Sequence, residues 1–130
     1  MKKTGNSLYP EDWKKVAEKD WSRVKVMLGE EDAEAAGYFL QQALEKHLKA
    51  FLLQHGWKLK KIHTLHTLLD DALKYDQTLE SFSELCERVS GYYFSDRYPQ
   101  LIASGLTCED IKKDMEEAQQ FIKVMFEEPE

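Results

Sequence analysis

One stretch of the chain decides the fold class. Residues 107–125 read TCEDIKKDMEEAQQFIKVM, and apolar side chains recur in it at alternating steps of four and three residues. This period places them on one side of an α-helix, where they form a packing seam made of Ile111, Met115, Ala118, Ile122 and Met125. Thr107, followed three residues later by Asp110, resembles a capping box and predicts the beginning of the helix.

Four other helices are predicted by the same combination of end signals and periodic apolar side chains. The first runs roughly over residues 10–28, and the second and longest over residues 31–56. A third begins after Thr64, and a fourth is opened by Thr78 and ends before Pro99. No alternating strand pattern is present, and the connections are short. The sequence therefore predicts an all-α, antiparallel up-and-down bundle of four to five helices.

Composition excludes several classes of protein. The length of 130 residues predicts a single domain, residues 1–130, with an ordered core of about 10–127. The net charge of −6 disfavours general DNA binding, and no stretch reaches the ~18 apolar residues of a membrane span. The two cysteines, Cys86 and Cys108, fit neither a disulfide framework nor a zinc knuckle. We expect a soluble, cytoplasmic protein without membrane contact.

Positive charge is concentrated in one region. Residues 46–69 contain five lysines, all four histidines and no Asp or Glu. Such a region attracts a phosphate or the acidic surface of a second protein, although a charge run can also be only a solvated face. Gln42, Lys46 and Lys49 share the side of the second helix opposite its apolar arc, at a spacing that suits either phosphate contact or plain solvation.

The histidines allow other interpretations. His47 lies in the middle of the apolar arc, either as a hydrogen-bonded core residue or as a buried interface residue. His63 and His66 stand three residues apart, but a zinc site needs three or four ligands and a supporting shell, so we expect no metal. The cysteines occupy apolar positions and are expected to be inert core thiols.

Arg97 stands in the least ordinary stretch of the chain. It follows an aromatic run, with Asp96 before it and Tyr98 and Pro99 after it, so it should lie at or just past the end of the fourth helix. A guanidinium held there can bind a phosphate bidentately or stack on a base. The alternative is a structural ion pair with Asp96 or with an acidic residue of the last helix.

Three pieces of sequence together resemble the HEPN domain of prokaryotes. They are QQALEKHLKA at residues 41–50, His63-Thr64-Leu65 with Leu68-Leu69, and Asp96-Arg97-Tyr98-Pro99, and the resemblance extends from about residue 13 to residue 125. It implies a bundle of four or five helices that usually dimerises across the faces carrying the site. Members are frequently paired with a minimal nucleotidyltransferase in toxin–antitoxin-like systems, and the family was proposed to bind nucleotides.

The resemblance also implies the site residues. Carried over to this sequence, they are Lys46, His63, Arg97 and Tyr98, with Gln42, Lys49 and Asp96 as supporting candidates. It implies no cofactor other than a nucleotide as a possible ligand. The function expected first is a noncatalytic nucleotide-binding or partner-binding module, a homodimer whose partner is a minimal nucleotidyltransferase.

Two alternatives remain at this stage. Other HEPN members are metal-independent ribonucleases that carry a His four to six positions after an Arg, but no histidine follows His66 in this sequence. A ribonuclease would have to use Arg97 for the developing phosphorane charge and His63 as the base, with RNA as its substrate. The second alternative is a structural adaptor that contacts proteins through aromatics such as Tyr38 and Trp57 and binds no nucleotide.

Overall fold

The computed structural model describes residues 7–97 and 105–127, and the side chains of residues 7–92 and 105–127. Over these ranges the chain forms five α-helices and no strand, which confirms the predicted all-α class. A short 3₁₀ helix, Gln77–Phe82, precedes the fourth α-helix. The α-helices are α1 Pro10–Gly29, α2 Ala33–Gln54, α3 Leu65–Leu73, α4 Ser83–Arg97 and α5 Cys108–Phe126.

The helices begin where their end signals predict, with one exception. Thr107 and Asp110 exchange both bonds of the capping box at the start of α5. The prediction that Thr78 opens the fourth helix is wrong. The Asp76 carboxylate accepts from the backbone N–H and the hydroxyl of Thr78, because a short acidic side chain reaches two residues on. This turn begins the 3₁₀ helix, which continues directly into α4 at Ser83.

α2 is the central helix, and contacts along it set the direction of its neighbours. Asp20 of α1 pairs with Lys46, and the later Arg23 lies over the ring of the earlier Phe39, so α1 and α2 are antiparallel. The start of α5 lies beside Gly37 and its end, Phe126, lies beside Phe51, so α5 runs parallel to α2. α4 is antiparallel to both helices, because its C-terminal part approaches the N-terminal part of α2.

The short α3 departs from strict alternation. After α2 the chain returns along that helix as far as His63, which lies beside Glu45. α3 then runs back in the same direction as α2, and Tyr75 just after it contacts His55 just after α2. Both ends of α3 are thereby fixed against α2, one near its middle and one at its C-terminus.

The core forms around α2. Its predicted apolar arc is buried, and so are most of its other positions, because helices pack on several sides of it. The α5 seam is confirmed at four positions, while Ile122 is only partly buried. Phe121 is fully buried although the seam does not include it, and it stacks on Phe82 with ring centroids 4.8 Å apart. Asp114, seven residues earlier on the same side of α5, is buried as well, so the buried face of the helix is wider than the predicted seam.

Candidate functional site

His63 stands at the surface, held by two residues of α2. Its side chain is 75% exposed, and its Nδ1 lies 3.0 Å from Oε2 of Glu45, a carboxylate that is only 5% exposed. Its backbone carbonyl accepts from Nε2 of Gln41 at 3.4 Å. A carboxylate can only accept, so the Nδ1 of His63 carries the hydrogen, and in the neutral ring Nε2 is the basic nitrogen.

The same Glu45 oxygen pairs with Lys49. The ammonium of Lys49 lies 3.0 Å from it, and the Lys49 side chain is only 3% exposed. The Trp13 ring of α1 covers this ammonium at 5.2 Å from the ring centroid. The expectation that Lys49 lies on a solvated side of α2 is therefore wrong, because α1 packs against that side. Lys49 neutralises Glu45 inside the bundle.

Lys46 is also neutralised by an acidic residue. Its ammonium lies 2.7 Å from Oδ2 of Asp20 and 3.0 Å from Oε1 of Gln42. Asp20 is buried in the α1–α2 interface and pairs with Arg23 through its other oxygen at 2.6 Å. Lys46 is half-buried, so its charge is mostly committed to the α1 carboxylate.

One bond joins these groups into a polar network. Nε2 of Gln42 donates to Oε1 of Gln41 at 2.6 Å and so connects the Lys46 pair with the His63 support. The polar network comprises Asp20, Arg23, Gln41, Gln42, Glu45, Lys46, Lys49 and His63. Sequence reasoning identified four of these eight residues, namely Gln42, Lys46, Lys49 and His63, and missed the other four. Asp20 carried a signal, since it occupies an apolar-stripe position between Ala17 and Val24.

Arg97 lies at another level of the bundle. The described part of α4 extends to Arg97, and Tyr92 of α4 lies beside Gly37 of α2. Because the two helices are antiparallel, α4 continues from that point away from Gln41 and His63. At 1.5 Å per residue, the backbone of Arg97 lies roughly 14 Å along the bundle axis from the level of Gln41. Within one chain, the backbone positions of Arg97 and His63 are therefore separated along the bundle axis.

Arg88 and Tyr92 precede the predicted site residues of α4, whose side chains are not described. The side chains of Asp96 and Arg97, and Tyr98 as a whole, lie outside the described residues. Earlier in α4, the Arg88 guanidinium bonds to Asp114 and Glu117 of α5. Tyr92 donates its hydroxyl to Asp114, and burial together with this hydrogen bond raises the pKa of Tyr92. Arg88 and Tyr92 thus serve to join α4 to α5.

His47 belongs to the core. It is buried, and its Nδ1 donates to the carbonyl of Ala43 at 3.0 Å, which confirms the core interpretation. Burial, with a smaller contribution from the Lys14 ammonium, lowers the pKa of His47 to about 4. His47 also lines a cleft of about 370 Å³ between α1, α2 and α5, together with Trp21 and Ile122.

The remaining side chains that could bind a metal ion do not form a cluster among the described residues. Among the described side chains, no group of three His, Cys, Asp or Glu is placed to hold a metal ion. Nε2 of His66 lies 3.4 Å from Oδ2 of Asp70, in the same helix. Burial, with a contribution from Glu117, raises the pKa of the Cys86 thiol to about 12. Trp57, expected as an exposed contact residue, is instead buried and donates to Asp71 at 3.0 Å.

No helix in the described part of the chain is both long enough and apolar enough to span a bilayer.

No curated protein matches the chain. Among solved structures, TT1696 from Thermus thermophilus is similar in fold, with a TM-score of 0.74 and 24% sequence identity over 89% of this chain and 94% of that one. The family model described as HEPN domain matches residues 10–128, nearly the whole bundle. The chain therefore belongs to the HEPN domain family.

Proposed function

We propose that this HEPN protein is a noncatalytic binding module that receives a nucleotide phosphate on its basic segment, residues 57–64 between α2 and α3. One observation carries the proposal. The two lysines of α2 are neutralised inside the bundle, whereas Lys58 and Lys61 are exposed and form no ion pair with any described residue. Uncompensated positive charge is thus located on this segment, which also presents His63.

The separation of Arg97 from His63 supports a noncatalytic role. Cleavage of RNA by its own 2′-hydroxyl needs a base and a cation at the same phosphate. Within one chain, the backbones that carry the two candidate groups, those of His63 and Arg97, lie at different levels of the bundle. Arg97, Asp96 and Tyr98 stay predicted phosphate-binding residues.

We also propose the setting in which the module acts. It forms a homodimer in the cytoplasm and pairs with a minimal nucleotidyltransferase in a toxin–antitoxin-like system. The HEPN family membership supports this setting, and the exposed basic segment supplies a surface for a nucleotide that such an enzyme handles. Copurification of the two proteins from cells that express both genes tests the pairing.

A calorimetric titration tests phosphate binding. ATP is titrated into the purified protein at physiological salt, with and without Mg²⁺. We expect saturable binding that weakens about tenfold or more in Lys58→Gln/Lys61→Gln, because each lysine contributes a charge at the phosphate. The matched control is Lys19→Gln/Lys25→Gln, which removes the same charge from exposed positions of α1. Equal weakening in both double variants would show that only the net charge of the protein matters, and not the position of the lysines. Absence of saturable binding would favour a structural adaptor.

One contact favours a ribonuclease as a second candidate. A buried carboxylate that orients an exposed imidazole through Nδ1 is the arrangement that general-base histidines use, and Glu45 holds His63 in this way. The cation would then have to be Arg97 of a second copy. This candidate predicts cleavage of single-stranded RNA in EDTA that disappears in His63→Ala. Activity that survives this substitution would exclude the assignment.

A further inference from the structure

Three aromatic rings contact one another in series where α2 and α3 end, each tilted against the next. The ring centroids of Phe51 and His55 are 4.3 Å apart, and those of His55 and Tyr75 are 5.2 Å apart. The imidazole is fixed, because its Nδ1 donates to the Phe51 carbonyl at 2.8 Å. Tyr75, the outermost ring, is 43% exposed. The series therefore has a solvent-exposed ring at its outer end.

These rings line a cleft of about 470 Å³, which we call the aromatic cleft. Its other wall is the end of α5, where the Lys14 ammonium lies 4.4 Å from the centroid of the Phe126 ring. The carboxylates that line it are those of Glu11, Asp76 and Glu127. Aromatic walls stack on a planar ring, and carboxylates accept from exocyclic amino groups but repel phosphate.

A second cleft of about 250 Å³, the lysine cleft, also has Tyr75 in its lining. Its lining includes Lys58, Lys60 and Lys74 but only one carboxylate, that of Asp71. Asp71 is already engaged, since it accepts from Trp57 at 3.0 Å and lies 3.8 Å from the Lys60 ammonium. The lysine cleft thus has an excess of positive charge, as a phosphate group requires.

We infer that the two clefts together form the seat of a nucleoside phosphate, with the base against Tyr75 and the phosphates among Lys58, Lys60 and Lys74. The inference rests on the proposed function, because Lys58 and Lys60 belong to the basic segment. To the proposed function it adds an aromatic surface for the base, at Tyr75, and a further lysine, Lys74, which directly follows α3. Tyr75 lines both clefts, and a nucleotide carries a planar ring and a charge at its two ends.

The choice of ligand follows from the pairing of the clefts. A bare polyphosphate would use the lysines and gain nothing from the rings, and a nucleoside would use the rings and gain nothing from the lysines. Base stacking on aromatic side chains tolerates any base, so the rings alone select the ligand class and not its identity. The seat lies at the far end of α3 from His63, and separate variants can therefore distinguish the two places.

The experiment compares three ligands by calorimetry: ATP, tripolyphosphate and adenosine. We expect ATP to bind at least tenfold more tightly than either fragment. Tyr75→Ala should reduce the affinity for ATP to that for tripolyphosphate and leave tripolyphosphate binding unchanged, whereas Tyr75→Phe should retain the affinity for ATP because it keeps the ring. Thermal unfolding of each variant confirms that it folds.

A second experiment tests the positive charge of the lysine cleft with a matched pair of lysines. Lys74 and Lys112 are both exposed and each lies near an acidic residue three positions before it, at 3.5 and 3.6 Å. Lys74→Gln should weaken ATP and tripolyphosphate alike by several-fold, and Lys112→Gln should affect neither. Equal effects of the two substitutions would overturn the assignment of the lysine cleft.

The other outcomes separate the two proposals. If ATP and tripolyphosphate bind with equal affinity and Tyr75→Ala changes neither affinity, the proposed contact of the base with Tyr75 is wrong. Phosphate binding by the basic segment then still stands. If ATP binding is lost in His63→Ala but not in Tyr75→Ala or Lys74→Gln, nucleotide binding stands and its location is overturned. If no ligand saturates the protein, the inference and the proposed function both fail.

Discussion

Glu45 is the residue on which the polar network depends, because one of its oxygens serves both Lys49 and His63. We predict that Glu45→Gln lowers the free energy of unfolding by about 3–5 kcal/mol, since it leaves the buried Lys49 ammonium without its anion. Urea unfolding measures this loss. His63→Ala is the control, because it removes only the exposed partner and should cost less than about 1 kcal/mol. Equal stability of Glu45→Gln and the parent protein would show that Lys49 does not need its anion.

His47 makes stability depend on pH. Its pKa is lowered to about 4 in the folded chain, mainly by burial, from an ordinary value of 6.5. Between these two values the unfolded chain binds the proton more readily, so the free energy of unfolding falls as the pH is lowered through this range. At 1.36 kcal/mol per pKa unit, the full loss is on the order of 3 kcal/mol.

Substitution of His47 tests this origin of the pH dependence. His47→Gln should flatten stability between pH 6.5 and pH 4, because Gln can donate to the Ala43 carbonyl and does not titrate. His66→Gln changes an exposed histidine and should leave the dependence as it is. Urea unfolding at several pH values compares the two variants. An unchanged slope in His47→Gln would assign the dependence to other groups.

At the scale of elements, Gly37 sets the distance between α2 and α4. A Cβ at Gly37 would lie 2.9 Å from Cβ of Tyr92. Gly37→Ala should therefore destabilise the protein by about 1–3 kcal/mol, although alanine favours the helix. Gly91 of α4 has open space around it, so Gly91→Ala should instead stabilise by about 0.5–1 kcal/mol. Thermal unfolding measures both, and the same sign for the two variants would contradict the close approach.

The elements show how far sequence reasoning reaches. The capping box at Thr107 and the apolar arc of α2 were predictable, because caps and periodicity act between residues close in the chain. The placement of Lys49 was not, since a helical wheel assumes one buried side and α2 is packed on several. The partners of the polar network were missed for a related reason. Asp20 and Glu45 meet their cations through packing and turns that no local pattern encodes.

At the scale of the whole molecule, an acidic protein presents a local basic surface. The net charge is −6, yet the basic segment carries three lysines and no acidic residue. Exposed charges are screened by salt, so the affinity for ATP should fall as ionic strength rises. The same titration on Lys58→Gln/Lys61→Gln should show a shallower dependence on salt, because fewer charges face the phosphates. An identical slope in the variant would place the phosphates elsewhere on the molecule.

The central claim is that the end of the bundle formed by α2, α3 and the basic segment binds a nucleotide. The most direct measurement is an NMR titration of the labelled protein with ATP, in which the backbone amide shifts report the location of binding. The account predicts that the largest changes fall in residues 55–61 and 74–76, at the two clefts around Tyr75. Changes confined to residues outside the basic segment and the two clefts, or none at saturating ATP, would contradict it.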